Sequence, residues 1–440
     1  MRKSLIATLI AGTLLSLNAQ AIDLVQVYNE ALANDAQYAS ARATLAAGQE
    51  RAPQARAGLL PTVGLSGNYS RSNSETSAPG IETSTPTFNT NGYTLSLSQP
   101  LFRMANWETY QQGKLSVAVS EAQFAQAQQD LIVRVAQAYF DVLTAQDTLA
   151  SVQSQKVAIT EQLASAKRNF EVGTATITDT HEAQARYDLA VAQEFAAQND
   201  LEIRRSALQQ IIGKPAGDLA ILRPGVKLNS PEPAQIERWV DSAEQQNYSV
   251  LGQQLAVEIA QREIGKSRAG HYPTVDLVAS RNRNNPGWTP SSPGGATSQS
   301  NSIGVQVAIP LFSGFAVTSR VRETIALEDK ARFDLESARR TAAQGARQAF
   351  LGVNAGMAQV RALEAAEVSS QSALESNRLG YQVGVRINID VLNAQQQLFT
   401  TRQNLAKARY DTIMNGLRLK SAAGTLKEED LMQVNALLSH

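Results

Sequence analysis

The chain is written twice. Val172-Gly173-Thr174-Ala175-Thr176-Ile177-Thr178-Asp179 returns 211 residues later as Val383-Gly384-Val385-Arg386-Ile387-Asn388-Ile389-Asp390. Within a residue or two, the same offset carries Pro61-Thr62-Val63 onto Pro273-Thr274-Val275, Pro100-Leu101-Phe102 onto Pro310-Leu311-Phe312, and Gly213 onto Gly424. Such self-similarity implies one structural unit used twice. Each copy, over 22–212 and 241–426, reads as helix, strand, polar loop, strand, Pro-Leu-Phe, very long helix, Gly turn and returning helix. A Gly- and Pro-rich connector over 213–240 joins them, and 427–440 reads as a C-terminal tail. The 440 residues suffice for several ordinary domains, but the repeat argues for one elongated, pseudo-symmetric unit.

Residues 1–21 open Met1-Arg2-Lys3, continue through the apolar Leu5 to Leu17 stretch and end Ala19-Gln20-Ala21, the pattern of a secretory signal peptide cleaved before Ile22. Beyond it no run of about 18 apolar residues occurs, so no transmembrane helix is expected. The destinations left are the periplasm, the exterior, or an outer membrane entered as β-structure. Basic and acidic residues number 40 each with no basic run, which argues against a nucleic-acid partner. The absence of cysteine excludes disulfides, thiolate metal sites and a lipidated N-terminal cysteine.

Enzyme chemistry has no foothold. His181, His271 and His440 are isolated, and Gly213-Lys214 is followed by Pro215 where a phosphate loop needs Ser or Thr. No cofactor is expected, and His181 is most simply a solvated helix residue.

Period-two alternation marks strands. It runs through Leu95 and Leu97 after Tyr93, and through Ile303, Val305, Val307 and Ile309; weaker partners are Val63, Leu65 and Tyr69 in 61–71, and Val275, Leu277 and Ala279 in 273–283. Four strands of about ten residues, the length of a tilted membrane strand, are predicted. One face is apolar and the other small or polar, as suits lipid outside and water inside. Ser72 to Asn91 and Asn282 to Asn301 read as exposed loops.

Heptads dominate the rest. Leu131, Val135, Ala138, Val142, Ala145, Leu149 and Val152 alternate spacings of four and three, resuming with Ile159, Leu163, Ala166 and Phe170; Ala346, Phe350, Val353, Met357 and Val360 repeat the pattern. Leu201 and Leu208, then Val391, Leu398 and Leu405, continue it in the returning helices. These are coiled-coil seams. No proline interrupts 103–171 or 313–382, and at about 1.5 Å per residue each would span on the order of 100 Å.

Four strands cannot close a barrel, and an open edge in hydrocarbon leaves backbone groups unsatisfied, so several chains must share one. Three copies would supply about 12 strands. A non-conducting periplasmic coiled-coil scaffold or adhesin stalk explains the helices but leaves the amphipathic strands unaccounted for.

Phe170-Glu171-Val172-Gly173 with Ile177-Thr178-Asp179, Gly380-Tyr381-Gln382-Val383-Gly384-Val385-Arg386 with Asp390-Val391-Leu392, both Pro-Leu-Phe junctions and Leu419-Lys420-Ser421-Ala422-Ala423-Gly424-Thr425-Leu426 resemble the TolC family of outer-membrane exit ducts. The resemblance covers essentially the whole mature chain. It implies a homotrimer whose outer-membrane β-barrel continues into a long α-helical coiled-coil periplasmic barrel. It also implies a passive duct for efflux or type I secretion, opened at its tip by a periplasmic adaptor and an inner-membrane ABC, RND or MFS transporter.

Gly173 and Gly384 suit the left-handed position past a helix end, and Thr178-Asp179 and Asn388 the caps of the returning helices. On residues alone, Asp179 and Asp390 read equally as helix-start acids favoured by the macrodipole. The resemblance implies more: Tyr381 and Arg386 latch onto Asp179 and Thr178, and Asp390 lines a constriction ring that is a candidate cation site. The family pattern has a second acid where this chain has Asn393, leaving a single charged ring. Val172-Gly173 and Val383-Gly384 match the tips that meet the adaptor, though simple tight turns explain them as well. Phe102, Trp107, Phe312 and Phe315 read as an interfacial belt or as packing.

Overall fold

Two long proline-free stretches set the architecture. In the computed structural model, which describes residues 21–73, 75–84, 87–287 and 295–439, they become α4 (Met104–Glu171) and α8 (Ala316–Gln382), of 68 and 67 residues. The shorter helices are α1 (Leu24–Asn34), α2 (Ala36–Gln49), α3 (Arg51–Ala57), α5 (Ile177–Ile212), α6 (Ile236–Gln246), α7 (Tyr248–Arg268), α9 (Asn388–Ala422) and α10 (Glu428–Asn435). The strands are β1 (Thr62–Asn73), β2 (Thr76–Ala78), β3 (Ile81–Ser84), β4 (Thr87–Phe102), β5 (Thr274–Asn285) and β6 (Ser298–Ala308). The expected leader lies outside the described residues apart from Ala21. Among described residues no helix is long and apolar enough to cross a membrane.

Two compact units result, one of Met1–Ala39, Ala127–Ala243 and Ala343–His440, the other of Ser40–Gln126 and Glu244–Ala342. Each unit draws on both sequence repeats, because every copy contributes strands to one and a long-helix hairpin to the other.

In the sheet unit, β1, β4, β5 and β6 form one antiparallel sheet in that order. Opposed residues share a face. On one face the register aligns Val63, Leu97, Ala279 and Ile303, with Gln99, Leu277 and Val305 beside them; Thr62, Ser98, Val278 and Gly304 line the other. Val63, Leu65, Tyr69, Ile303, Val305 and Val307 are all more than half exposed in the single chain. Such a surface is stable against lipid. A bulge between Pro100 and Phe102 sets Phe102 opposite Val275. Proline has no N–H for the ladder, so it is accommodated where the pairing is already interrupted.

The segment 72–91, expected as an exposed loop, is laddered for part of its length. Ser72 pairs Phe88, Asn73 pairs Thr87, and β2 pairs β3 within it; likewise Arg283 pairs Gln299 in 282–301. Lipid imposes apolar alternation, but the backbone ladder does not need it, so strands that run beyond the bilayer lose their sequence signature.

Arg103 opens α4 with two bonds to the buried Asp276, Nε to Oδ1 at 2.8 Å and Nη2 to Oδ2 at 2.6 Å. Gly113 lets α3 approach α4: a methyl there would meet Ala55 Cβ at 2.7 Å. Phe312 and Phe315 stack edge to face at 5.4 Å while 75% and 72% exposed.

In the other unit Leu24, Val27, Tyr28 and Ala31 are buried on α1, each large side chain worth about 1.5–3 kcal/mol. Residues 427–439, read as a tail, carry α10 with Leu431 and Leu438 buried, and Asn435 Oδ1 accepts from the α1 N–H groups of Leu24 at 2.9 Å and Val25 at 3.3 Å. In the connector, Tyr139 Oη donates to Ala220 O at 2.6 Å.

The heptads bury as their spacing requires: Leu131, Val135, Val142, Val152, Ile159 and Ala166 on α4 are 5% exposed or less, as are Val391, Leu398 and Leu405 on α9 and Leu208 on α5. Ala138, Leu149 and Met357 are only half-buried, and Phe170 is 43% exposed in the last turn of α4.

Candidate functional site: the paired hairpin tips

The two copies of the repeated octapeptide make the same turn, bond for bond. After α4, the N–H groups of Thr174 and Ala175 both reach Asn169 O, at 2.8 and 3.2 Å; after α8, those of Val385 and Arg386 both reach Gly380 O, at 2.8 and 3.0 Å. Gly173 (φ 79°) and Gly384 (φ 76°) hold the left-handed position that closes each turn. Open space surrounds both, so backbone conformation alone demands glycine.

The caps differ from expectation. Thr176, not Thr178, is the N-cap of α5, and Asp179 completes the capping box, its Oδ2 accepting from Thr176 N at 3.0 Å and Thr176 Oγ1 at 2.8 Å. Asn388 caps nothing: Ile387 is the N-cap of α9, without a side-chain bond, and Asn388 is 1% exposed. Its Oδ1 accepts from Gln162 Nε2 on α4, and its Nδ2 donates to Asp179 O at 3.4 Å.

The expected latch pairs are not formed within one chain. Tyr381 Oη accepts from Asn169 Nδ2 at 3.1 Å, and Arg386 Nη1 lies 3.6 Å from Asp390 Oδ2 on the helix that follows it. Asn393 Oδ1 accepts from Arg186 Nη2 at 3.0 Å. The structure thus gathers Asp179, Tyr381, Arg386, Asp390 and Asn393 at adjoining hairpin ends and gives them intrachain partners.

A feature missed in the sequence joins the hairpins: Gln155, Gln162 and Asn169, spaced by sevens on α4, each donate a side-chain amide across to the second hairpin, to Gln396 Oε1 at 2.5 Å, to Asn388 and to Tyr381. The signal was the heptad itself, with amides recurring at one position. Beside this amide row, Ile159, Ala190 and Leu392 form a small apolar contact flanked by Tyr187 and Ile389. Within each hairpin packing is more conventional, through Leu163, Ala166 and Ala183 in the first and Leu374, Val391 and Leu398 in the second. The Lys156 ammonium, bonded to Glu194 across the first hairpin, holds that carboxyl below its usual range. Further along, burial pushes the Asp147 carboxyl up, partly countered by Tyr410 Oη donating to it at 2.7 Å.

Side chains beyond the turns have nothing to pack on. Val172, Val383, Val385 and Ile387 are 72%, 66%, 78% and 62% exposed. No described group of His, Cys, Asp and Glu could hold a metal, and the tips offer hydrogen bonding and charge rather than reactive chemistry.

Comparison with known proteins agrees with this geometry. Residues 27–214 and 239–425 each match the family described as outer membrane efflux protein, one match per repeat. The chain is 35% identical over 430 residues to outer membrane protein TolC of Escherichia coli K12, covering 96% of this chain and 86% of that one. It is 33% identical over 428 residues to the alkaline protease secretion protein AprF of Pseudomonas aeruginosa, covering 96% and 89%. The Campylobacter jejuni CmeC outer membrane channel shares the fold, with a TM-score of 0.79 over 94% of this chain and 89% of that one at 18% identity. Sheet, paired hairpins, repeat and relatives coincide along nearly the full length: the chain belongs to the outer membrane efflux protein family.

Proposed function

We propose that the hairpin tips are the gate of the duct, closed by weak bonds that a docking protein can break. The chain itself is a non-enzymatic outer-membrane exit duct for efflux and type I secretion, with its helices in the periplasm. Its relatives imply a trimeric channel working with efflux or secretion partners. A trimer also meets the physical need of the sheet, since β1 and β6 each pair on one side only among the described residues. A stalk without a lumen would have no use for that sheet.

The observation that carries the gate is the seam between the hairpin ends, single side-chain bonds from Gln155, Gln162, Asn169 and Arg186 beside a small apolar contact. Each such bond contributes about 0.5–1.5 kcal/mol, so a partner that binds the open arrangement better can shift the balance. In the closed trimer, Arg386 and Tyr381 of one subunit reach Asp179 and Thr178 across the subunit boundary, and Arg386 exchanges its loose contact with Asp390 for that pair. The Asp390 carboxylates then ring the axis as a weak divalent-cation site, with Asn393 lending polarity but no charge. The exposed valines at Val172-Gly173 and Val383-Gly384 present apolar surface for a periplasmic adaptor, which couples the duct to an ABC, RND or MFS pump. Outer-membrane lipid covers the apolar sheet face, and no nucleic acid is involved.

Single-channel conductance in a planar bilayer tests this, wild type beside Arg386→Ser. Small wild-type openings that grow several-fold in the variant are expected. Equal conductance from inserted trimers would remove the gate from these tips.

A further inference from the structure

Lipid meets this sheet on one face only, and the register shows where that contact stops. The last apolar residues on the lipid face, counting away from the helix-connected ends, are Tyr69 on β1, Tyr93 on β4, Ala279 on β5 and Ile303 on β6. Across the sheet this limit falls from the pairing row of Tyr69 to the row that Ile303 shares with Val63. At about 3.3 Å per residue and about 4.8 Å per strand spacing, the boundary is inclined to the pairing rows by roughly 50°, near the tilt of strands in a membrane barrel. It is therefore the level of the outer-leaflet headgroups, because the strands leave for the periplasmic helices at their other ends.

Arginine stands at that level. Arg71 is the first residue on this face beyond Tyr69, and Arg281 the first beyond Ala279, followed by Arg283; Asn91 and Asn301 hold the equivalent places on β4 and β6. Along these four strands the charged side chains are Arg71, Asp276, Arg281 and Arg283, and the one acid is on the opposite face, bound to Arg103. Arg71, Arg281 and Arg283 are exposed, and no described acid forms an ion pair with them. Glu75 follows Arg71 by four positions in sequence, beyond the end of β1. Arg281 lies opposite Leu95 and Arg283 opposite Tyr93, positions from which an aliphatic stem can lie along the edge of the apolar band while its guanidinium reaches the headgroup layer.

We propose that Arg281 and Arg283, with Arg71 on the same belt, bind the phosphates of an outer-leaflet glycolipid. Guanidinium pairs phosphate through two parallel bonds, and two arginines about 6.6 Å apart along one strand suit a headgroup carrying more than one phosphate. A free phosphate has no use for the apolar band beneath, whereas acyl chains fill it. The inference rests on the membrane placement of the sheet and not on the gate.

The test is native mass spectrometry of the full-length trimer in nanodiscs of phosphatidylcholine with equal small amounts of bisphosphorylated lipid A, dephosphorylated lipid A and phosphatidylglycerol. Wild type is expected to retain bisphosphorylated lipid A over the other two. Arg281→Gln/Arg283→Gln should lose that enrichment by about ten-fold or more, Arg281→Lys/Arg283→Lys should keep part of it, and conductance should stay unchanged in both. Retention by the Gln pair equal to wild type overturns the proposal, as does equal enrichment of phosphatidylglycerol. Should the Gln pair fail to insert, the wild-type preference between phosphorylated and dephosphorylated lipid A still decides the matter.

Discussion

Asn169 Nδ2 donates to Tyr381 Oη at 3.1 Å, tying the last turn of the first long helix to the last turn of the second. The two residues are 212 apart in sequence, and each stands just before its glycine turn. Whatever moves one tip relative to the other must break this bond.

Tyr381→Phe deletes that acceptor and leaves the ring. The loss of about 0.5–1.5 kcal/mol per subunit should enlarge single-channel conductance and raise the open fraction, less than Arg386→Ser does. Asn169→Ala should do the same through the other partner. Unchanged conductance in both would mean that the tie is incidental to gating.

The half-buried Asp390 sits 3.6 Å from the exposed Arg386, so its charge is only loosely balanced. Asp390→Ala should weaken block by divalent cations with little effect on conductance in their absence. Arg386→Ser, which leaves the carboxylate unbalanced, should strengthen the block at each open tip. Titrating block with magnesium in the bilayer distinguishes these, and equal block in all three proteins would place the constriction elsewhere.

Asn388 is buried and bonds both Gln162 and the backbone of Asp179. Asn388→Leu strands both partners, at a cost of about 1–3 kcal/mol. Hydrogen exchange should quicken at the turns around Gly173 and Gly384 while the α1–α10 region stays protected. Pairing Asn388→Leu with Gln162→Leu should restore part of the protection, because the Gln162 amide is then no longer left without its partner, while Asp179 O still lacks the Asn388 donor.

Asp147 has its carboxyl raised, first by burial and against the bond from Tyr410. A carboxyl whose folded pKa lies above its unfolded value contributes stability fully below the unfolded pKa and loses it as pH rises through the folded one. Asp147→Asn, which can still accept from Tyr410, should therefore gain thermal stability at neutral pH and show a flatter stability profile through the acidic range. Tyr410→Phe, leaving the carboxylate without its donor, should lose stability most at neutral pH. A profile for Asp147→Asn parallel to wild type would remove Asp147 as the titrating group.

Some of this was legible in residue order because it depends on local periodicity. The octapeptide repeat announced two identical turns, and φ of 79° at Gly173 and 76° at Gly384 shows why glycine recurs there. Most heptad positions from Leu131 to Ala166 are buried, with Ala138 and Leu149 half-buried, since a helix sets its apolar face from its own sequence. Phe170 did not follow the spacing: in the last turn of α4 it is 43% exposed.

What the amino-acid order determined alone was the class of object: paired hairpins of long helices, amphipathic strands too few to close a barrel, and glycine-closed tips. Tertiary structure decided which polar groups meet. Gln162 and Asn388 are 226 positions apart, and a heptad pattern marks both only as polar. Thr176 displaced Thr178 as the cap because the helix began two residues earlier than its motif suggested, and the arginine belt emerged only when register aligned Arg71 and Arg281 with one inclined plane. Periodicity is local and survives in sequence; pairing between distant segments is set by register and packing, which the folded chain alone supplies.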